Sequence, residues 1–138
     1  MAEVTPLPIY NLLEDDMNQS DLVGLPRVAN TKCRPYVEKR EPFRGSNLYG
    51  LYSLVDADHE VYTVYSYDTH HPLYIYTEGM WFENEDKYSP STSKHLTQAR
   101  PMGVRPILLS TRWMQRLANN GYQSIAKERI LTTEPMEA

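Results

Sequence analysis

Between residues 48 and 83 the chain offers four consecutive strand-like runs, and the links between them are too short for anything but antiparallel pairing. Residues 48–55 read as the first strand, closed by a polar turn at 56–59. Residues 60–68 alternate strictly: Val61, Thr63, Tyr65 and Tyr67 point one way, Tyr62, Val64, Ser66 and Asp68 the other. After a turn at 69–72, Leu73, Ile75 and Thr77 alternate with Tyr74, Tyr76 and Glu78. Glu78-Gly79 has the composition of a two-residue hairpin turn, and residues 80–83 return as a short fourth strand. A meander of this kind must bury one face. The Leu73/Ile75 side is expected inward, and the Tyr74/Tyr76 side is expected to be exposed.

The remainder is organised around breakers. Five of the ten prolines fall before residue 45, at positions 6, 8, 26, 35 and 42, which disfavours regular helix there. Residues 1–45 therefore read as a proline-rich N-terminal arm lying on the domain or on a partner, with a short helix at 11–17. Beyond the sheet, Ser89 or Thr92 caps a helix whose first turn holds Pro90 and which ends before Pro101. Residues 101–106 are broken by Pro101, Gly103 and Pro106. A second helix starts near Ser110 or Thr111 with Trp113, Met114 and Leu117 inward, and Asn120-Gly121 stops it. Residues 122–130 form a last short helix or an edge strand with Ile125 and Ile130 inward. The expectation is one α+β domain over 46–131, with a three- to four-stranded antiparallel meander, two or three helices packed on one face, and a tail at 132–138.

At 138 residues such a domain buries enough surface to need no covalent staples. Its single cysteine, Cys33, cannot form an intrachain disulfide and has no zinc-ligand spacing around it. No basic-then-apolar leader and no membrane-length apolar run is visible, so an intracellular protein with no membrane contact is expected. Tyrosine is in excess, eleven against two Phe and two Trp, which suits half-buried sheet faces and contact surfaces.

The middle block carries a recognisable order of elements. Tyr65-Ser66-Tyr67, His70-His71-Pro72-Leu73-Tyr74, Trp81-Phe82-Glu83-Asn84, Asp86-Lys87-Tyr88-Ser89, Thr92-Ser93-Lys94-His95 and Gln98-Ala99 together resemble a family of small bacteriophage-encoded proteins of uncharacterised function, over about residues 46–101. The resemblance implies a phage origin and an accessory role in the cytoplasm of an infected bacterium. It implies no activity.

Charge supplies the functional expectations. Residues 45–86 hold eight acids and no Lys or Arg; residues 87–127 hold seven bases and no Asp or Glu. The formal net charge of −4 conceals that division. Lys87, Lys94, Arg100, Arg112 and Arg116, with His95, would give two helices a phosphate-tracking face, and Tyr74, Tyr76 and Tyr88 would stack on bases. Nucleic acid is thus the leading partner. A second reading docks a bacterial host protein through the arm and an acidic surface of Tyr62, Asp68, His70, Glu83, Glu85 and Asp86. A third places a hydrolytic or metal site around His70, His71, His95 and Asp68, although the histidines lack the spacing of a metal site. Ser91 to His95 resembles part of a nucleophile–base set, but adjacent helical residues diverge, and capping explains the hydroxyls. No cofactor is expected, because no P-loop, dinucleotide fingerprint or nucleophile elbow occurs. A non-enzymatic binding protein is favoured over an enzyme, and a homo-oligomer is compatible with the sequence.

Overall fold

The computed structural model describes residues 24–56, 59–67, 71–86 and 89–132. The expected helix at 11–17 lies outside them. In chain order a 3-10 turn at Asn30–Lys32 leads to α1 (Arg34–Glu38), β1 (Phe43–Arg44), β2 (Leu48–Asp56), β3 (His59–Ser66), β4 (Pro72–Thr77) and β5 (Met80–Asn84). Then come α2 (Pro90–Ala99), β6 (Ile107–Leu109), α3 (Thr111–Asn120) and α4 (Tyr122–Thr132). The fold is α+β.

All six strands form one sheet in the order β1 to β6. Pairing is antiparallel through β5, and β6 is parallel to β5. The sheet is therefore mixed and six-stranded, not a meander of three or four strands. The two unforeseen strands have two and three residues, too few to leave an alternating pattern. Parallel pairing needs a long crossover, and the stretch containing α2 supplies it.

Local signals account for the element boundaries. Glu78 (φ 53°) and Gly79 (φ 74°) both have positive φ, the geometry of a primed hairpin turn, which joins β4 to β5. The Ser89 hydroxyl accepts the Thr92 N–H and Pro90 opens α2. Ser110 caps α3 in the same way through Trp113 N–H. Gly121, at φ 86°, ends α3, its N–H donating to the Leu117 carbonyl.

The sequence leads one to expect the helices on one face of the sheet, but they lie on both. Leu96 and Ala99 of α2 pack with Tyr62, Val64 and Tyr74, together with Cys33, Val37 and Phe43. Trp113, Met114 and Leu117 of α3 and Ile125 of α4 pack with Val61, Ile75 and Phe82. Tyr74 and Ile75 are consecutive strand residues and so point to opposite faces. The sheet is covered on both sides, in three layers: residues 28–41 with α2, the sheet, and α3 with α4. The reason lies in composition. Burial of Val61, Ile75 and Phe82 on one face leaves the other face tyrosine-rich, and tyrosine is apolar enough to be covered when its hydroxyl finds a partner.

The tyrosine face is organised as a row. Cross-strand pairing sets Tyr52 beside Tyr62, Tyr62 beside Tyr76, and Tyr76 beside Trp81. Ring centroids are 5.2 Å apart for Tyr52–Tyr62 and 5.1 Å for Tyr76–Trp81, both tilted. The hydroxyls reach into the layer above. Tyr52 donates to the Arg40 carbonyl at 2.6 Å, Tyr62 to the Glu41 carbonyl at 2.7 Å, and Tyr74 to the Leu96 carbonyl at 2.8 Å. The segment expected as an arm is, from residue 25 onward, held against the sheet: Val28, Cys33, Val37 and Phe43 are core residues.

Gly50 sits where this layer comes closest. A Cβ there would meet the Phe43 ring at 2.5 Å and would run into the Tyr62 hydroxyl. Gly50→Ala is expected to lose about 1 to 3 kcal/mol by overpacking. Tyr62→Phe is expected to lose about 0.5 to 1.5 kcal/mol, because it removes the hydrogen bond to the Glu41 carbonyl. Urea unfolding of both variants checks this; wild-type stability in Gly50→Ala would contradict the packing of Phe43 over β2.

Candidate nucleic-acid interface

The three-layer arrangement separates the bases that the sequence reading grouped. Lys94 is exposed on α2, and Arg100 follows the end of that helix. Arg112 and Arg116 belong to α3 on the opposite side of the sheet, where their guanidinium groups lie 5.9 and 5.2 Å from the Trp113 ring centre. The four therefore do not make one phosphate-tracking face. Lys87 and Tyr88 lie outside the described residues.

Tyr74 and Tyr76 are not free to stack on bases. Tyr74 is fully buried, and its hydroxyl proton is held up well above the usual phenol range, first by burial and then by the Glu83 charge. Tyr76 is half-buried between Trp81 and the Arg40 guanidinium, which sits 4.4 Å over its ring. That cation–π contact helps to hold Arg40 in its left-handed conformation, φ 56°.

Most residues of the acidic surface also have internal duties. Tyr62 is 1% exposed, so it offers no contact surface. Glu83 pairs with Arg100 at 3.3 Å. Burial works against the Arg100 charge, but the Tyr74 hydroxyl and the Glu83 carboxylate outweigh it and raise its pKa. Asp86 accepts the Thr111 N–H at 2.8 Å, at the N-terminus of α3, where a carboxylate is favoured by the helix dipole. The fully buried Asn84 completes this junction: its side-chain amide donates to the Pro72 carbonyl at 2.8 Å and the Thr111 hydroxyl at 2.9 Å, while its oxygen accepts the Asp86 N–H. Glu85 remains exposed, with its N–H donated to the Leu109 carbonyl. Asp68 and His70 lie outside the described residues.

The histidines are dispersed in role. His95 is 4% exposed, its Nδ1 lies 2.7 Å from the Ser66 hydroxyl, and the Tyr67 ring packs 5.2 Å from its own. Ser66 is fully buried, so this Ser–His contact has no access for a substrate and joins α2 to the end of β3. His71 contributes its backbone carbonyl to the Ser66 N–H. His59 lies 3.7 Å from Glu78 at the sheet margin. Among the described residues no group of three His, Cys, Asp or Glu is placed to hold a metal ion, and no helix is long and apolar enough to cross a membrane. Cys33 is buried against α2, and desolvation pushes its thiol up to about 11, so it is an inert core residue.

A different set of bases does converge. Residues 24–44 carry Arg27, Lys32, Arg34, Lys39, Arg40 and Arg44 against only Glu38 and Glu41. The Arg34 guanidinium donates to the Thr97 carbonyl in the last turn of α2 at 2.7 Å, and the Glu38 carboxylate accepts the Met102 N–H at 2.8 Å. These contacts fix α1 beside α2, so Lys32, Arg34, Lys39 and Arg40 share one layer with Lys94 and Arg100, whereas Arg44, in register with Tyr49, and its bridge partner Arg27 lie at the sheet edge and point to the other face. Six bases face Glu38 and Glu41 in that layer. Sequence reading missed this group because the prolines drew attention to chain stiffness; a running charge count across 27–44 exposes it. In comparisons with known proteins, no family model, no curated protein and no solved structure matches the chain.

Burial, with the neighbouring Lys94 charge, lowers the pKa of His95 from 6.5. The unfolded chain therefore takes up a proton at a higher pH than the native protein does. The stability that neutral His95 supports is present above about pH 6.5 and is lost as pH falls through the depressed native pKa. Thermal unfolding at pH 7.5 and pH 5 should show a smaller acid-induced fall in Tm for His95→Gln than for wild type. An equal fall in both would remove His95 as the source.

Proposed function

We propose that the protein is a small non-enzymatic nucleic-acid-binding protein, and that its binding surface is the basic layer formed by residues 28–41 and α2. The observation that supports this reading is the surplus of four positive charges in that layer, six bases against two acids, within a chain whose net charge is −4. Lys and Arg neutralise phosphates and release counterions, so a local surplus attracts a polyanion even when the molecule as a whole is acidic. Lys32, Lys39 and Lys94 are exposed there, and Arg34 and Arg100 are half-buried with their backbones fixed. Arg112 and Arg116 have no part in this surface. On the resemblance to small phage-encoded proteins, the proposed role is that of an accessory factor in the cytoplasm of an infected bacterium. Docking to a host protein is the weaker alternative, because Tyr62, Glu83 and Asp86 are already engaged within the fold.

Fluorescence anisotropy with labelled single-stranded and duplex DNA and RNA tests the reading. Binding should weaken steeply with salt, and Lys39→Glu combined with Lys94→Glu should weaken it by at least about tenfold. Arg112→Glu, on the opposite layer, should leave affinity within about twofold of wild type. Absence of binding to every oligonucleotide at low salt would overturn the proposal and return the weight to a protein partner, to be sought by capture from nuclease-treated bacterial lysate.

A further inference from the structure

At the edge of the sheet, beside β1, a cleft of about 220 Å³ is lined by Arg27, Val28, Ala29, Arg44, Gly45 and Ser46. Its two arginines are held together by the backbone. Arg27 and Arg44 form a parallel bridge, the Arg44 N–H donating to the Pro26 carbonyl and the Arg44 carbonyl accepting the Val28 N–H, both at 2.9 Å. Bridged residues carry their side chains on the same side, so the two arginine side chains leave the backbone together. No carboxylate lines the cleft. Among the described residues the ion pairs involve His59, Glu78, Glu83 and Arg100, and neither Arg27 nor Arg44.

The walls of the cleft are tightly fixed. A Cβ on Gly45 would meet the Asn30 side-chain oxygen at 2.6 Å and the Val28 carbonyl at 2.9 Å, so the strands of this loop can approach only because residue 45 has no side chain. The Asn30 side chain also accepts the Asn47 N–H at 3.4 Å, and the Gly45 N–H donates to the Leu48 carbonyl at 2.6 Å. Two like charges leaving the backbone together without a counter-charge repel one another, and a bound oxyanion removes that repulsion. The guanidinium fork is suited to bidentate recognition of phosphate oxygens, and the Ser46 hydroxyl at the rim adds a donor.

We propose that the Arg27–Arg44 cleft is a phosphate-binding site that takes one phosphate group of the bound nucleic acid; this rests on the nucleic-acid reading above and names the group that anchors it. The phosphate is either a terminal monoester or an internal diester, and both present the same non-bridging oxygens.

The full-length protein is titrated with inorganic phosphate while the guanidinium Nε–H signals of its arginines are followed by NMR. Arg27 and Arg44 should shift together and saturate, with Arg112 unaffected as an internal control. Binding is then compared for 5′-phosphorylated and 5′-hydroxyl single strands of one sequence, in wild type and in the double variant Arg27→Gln with Arg44→Gln. The double variant should bind at least about tenfold more weakly, with a shallower dependence on salt. Loss confined to the phosphorylated strand assigns the site to a terminal phosphate, and equal loss on both assigns it to the internal backbone. Arg27→Gln alone, at an exposed position, carries the test if the double variant unfolds. No selective response at the two arginines, or unchanged binding in the variants, overturns the site. Unchanged binding that Lys39→Glu with Lys94→Glu still weakens leaves the nucleic-acid reading standing. A saturating phosphate response in a protein that binds no oligonucleotide keeps the cleft and removes that reading.

Discussion

The contact on which most of this structure depends is that of the tyrosine row with the backbone above it. Tyr52, Tyr62, Tyr76 and Trp81 cross four strands side by side, and the Tyr52 and Tyr62 hydroxyls donate to consecutive carbonyls at Arg40 and Glu41. A phenylalanine row would bury the same area but remove those hydrogen bonds, at about 0.5 to 1.5 kcal/mol each. A serine or threonine row would supply hydroxyls but not the reach. Tyrosine does both, so a segment with little regular structure can be fixed on a sheet. Gly50 is the complementary half of the arrangement, because it alone lets Phe43 and the Tyr62 hydroxyl come down onto β2. Among the described residues most of the tyrosines are thus used inside the fold, between layers, while Tyr67 is exposed.

The charge boundary at Asp86-Lys87 acquires a local explanation on the acidic side. Asp86 accepts the first N–H of α3, and Asn84, two residues earlier, ties the same helix start to β4. Glu83 neutralises Arg100 at the end of α2. Acids at the end of β5 therefore hold the two helices that follow, one on each face of the sheet. Internal pairing explains part of the sign change. It does not extend to the bases of residues 24–44, which precede the acidic stretch and number six against two.

What the sequence made legible was local. The Glu78-Gly79 turn, the Ser89-Pro90 and Ser110 helix starts and the Gly121 stop each depend on a few neighbouring residues, and each lies where turn and cap chemistry puts it. Strand alternation placed β2 to β5 to within a residue or two. What was not legible depended on distant partners. A two-residue β1 is a strand only because β2 lies beside it, and β6 only because the α2 crossover returns it to β5. The fate of the tyrosine face turned on whether anything would cover it, and alternation alone does not say. For the candidate site the same rule held. Lys94 and Arg100 were visible as bases, but their neighbours in the layer, Lys32 to Arg40, lie more than fifty residues earlier in the chain and are brought in by Arg34 and Glu38.

That assembly bears on how an acidic protein can offer a surface to a polyanion. Charges separated by more than about 8 to 10 Å at physiological ionic strength are largely screened from one another. A ligand lying on the 28–41 layer is therefore governed by the charges of that layer, and the sheet's acids count only where they come close, as Glu83 does to Arg100. Within the layer the two acids are unequal: the Glu38 carboxylate is occupied by the Met102 N–H, while Glu41 is exposed. The bases are divided as well. Arg34 and Arg100 are committed to α2 and Glu83, and Arg40 to the Tyr76 ring, so these three shape the surface. Lys32, Lys39 and Lys94 are the charges of that layer left to act outward, and Arg27 and Arg44 add theirs at the sheet edge. Net charge of the whole chain is then the wrong quantity for judging affinity, and the sign of the field within one screening length of residues 24–44 is the right one.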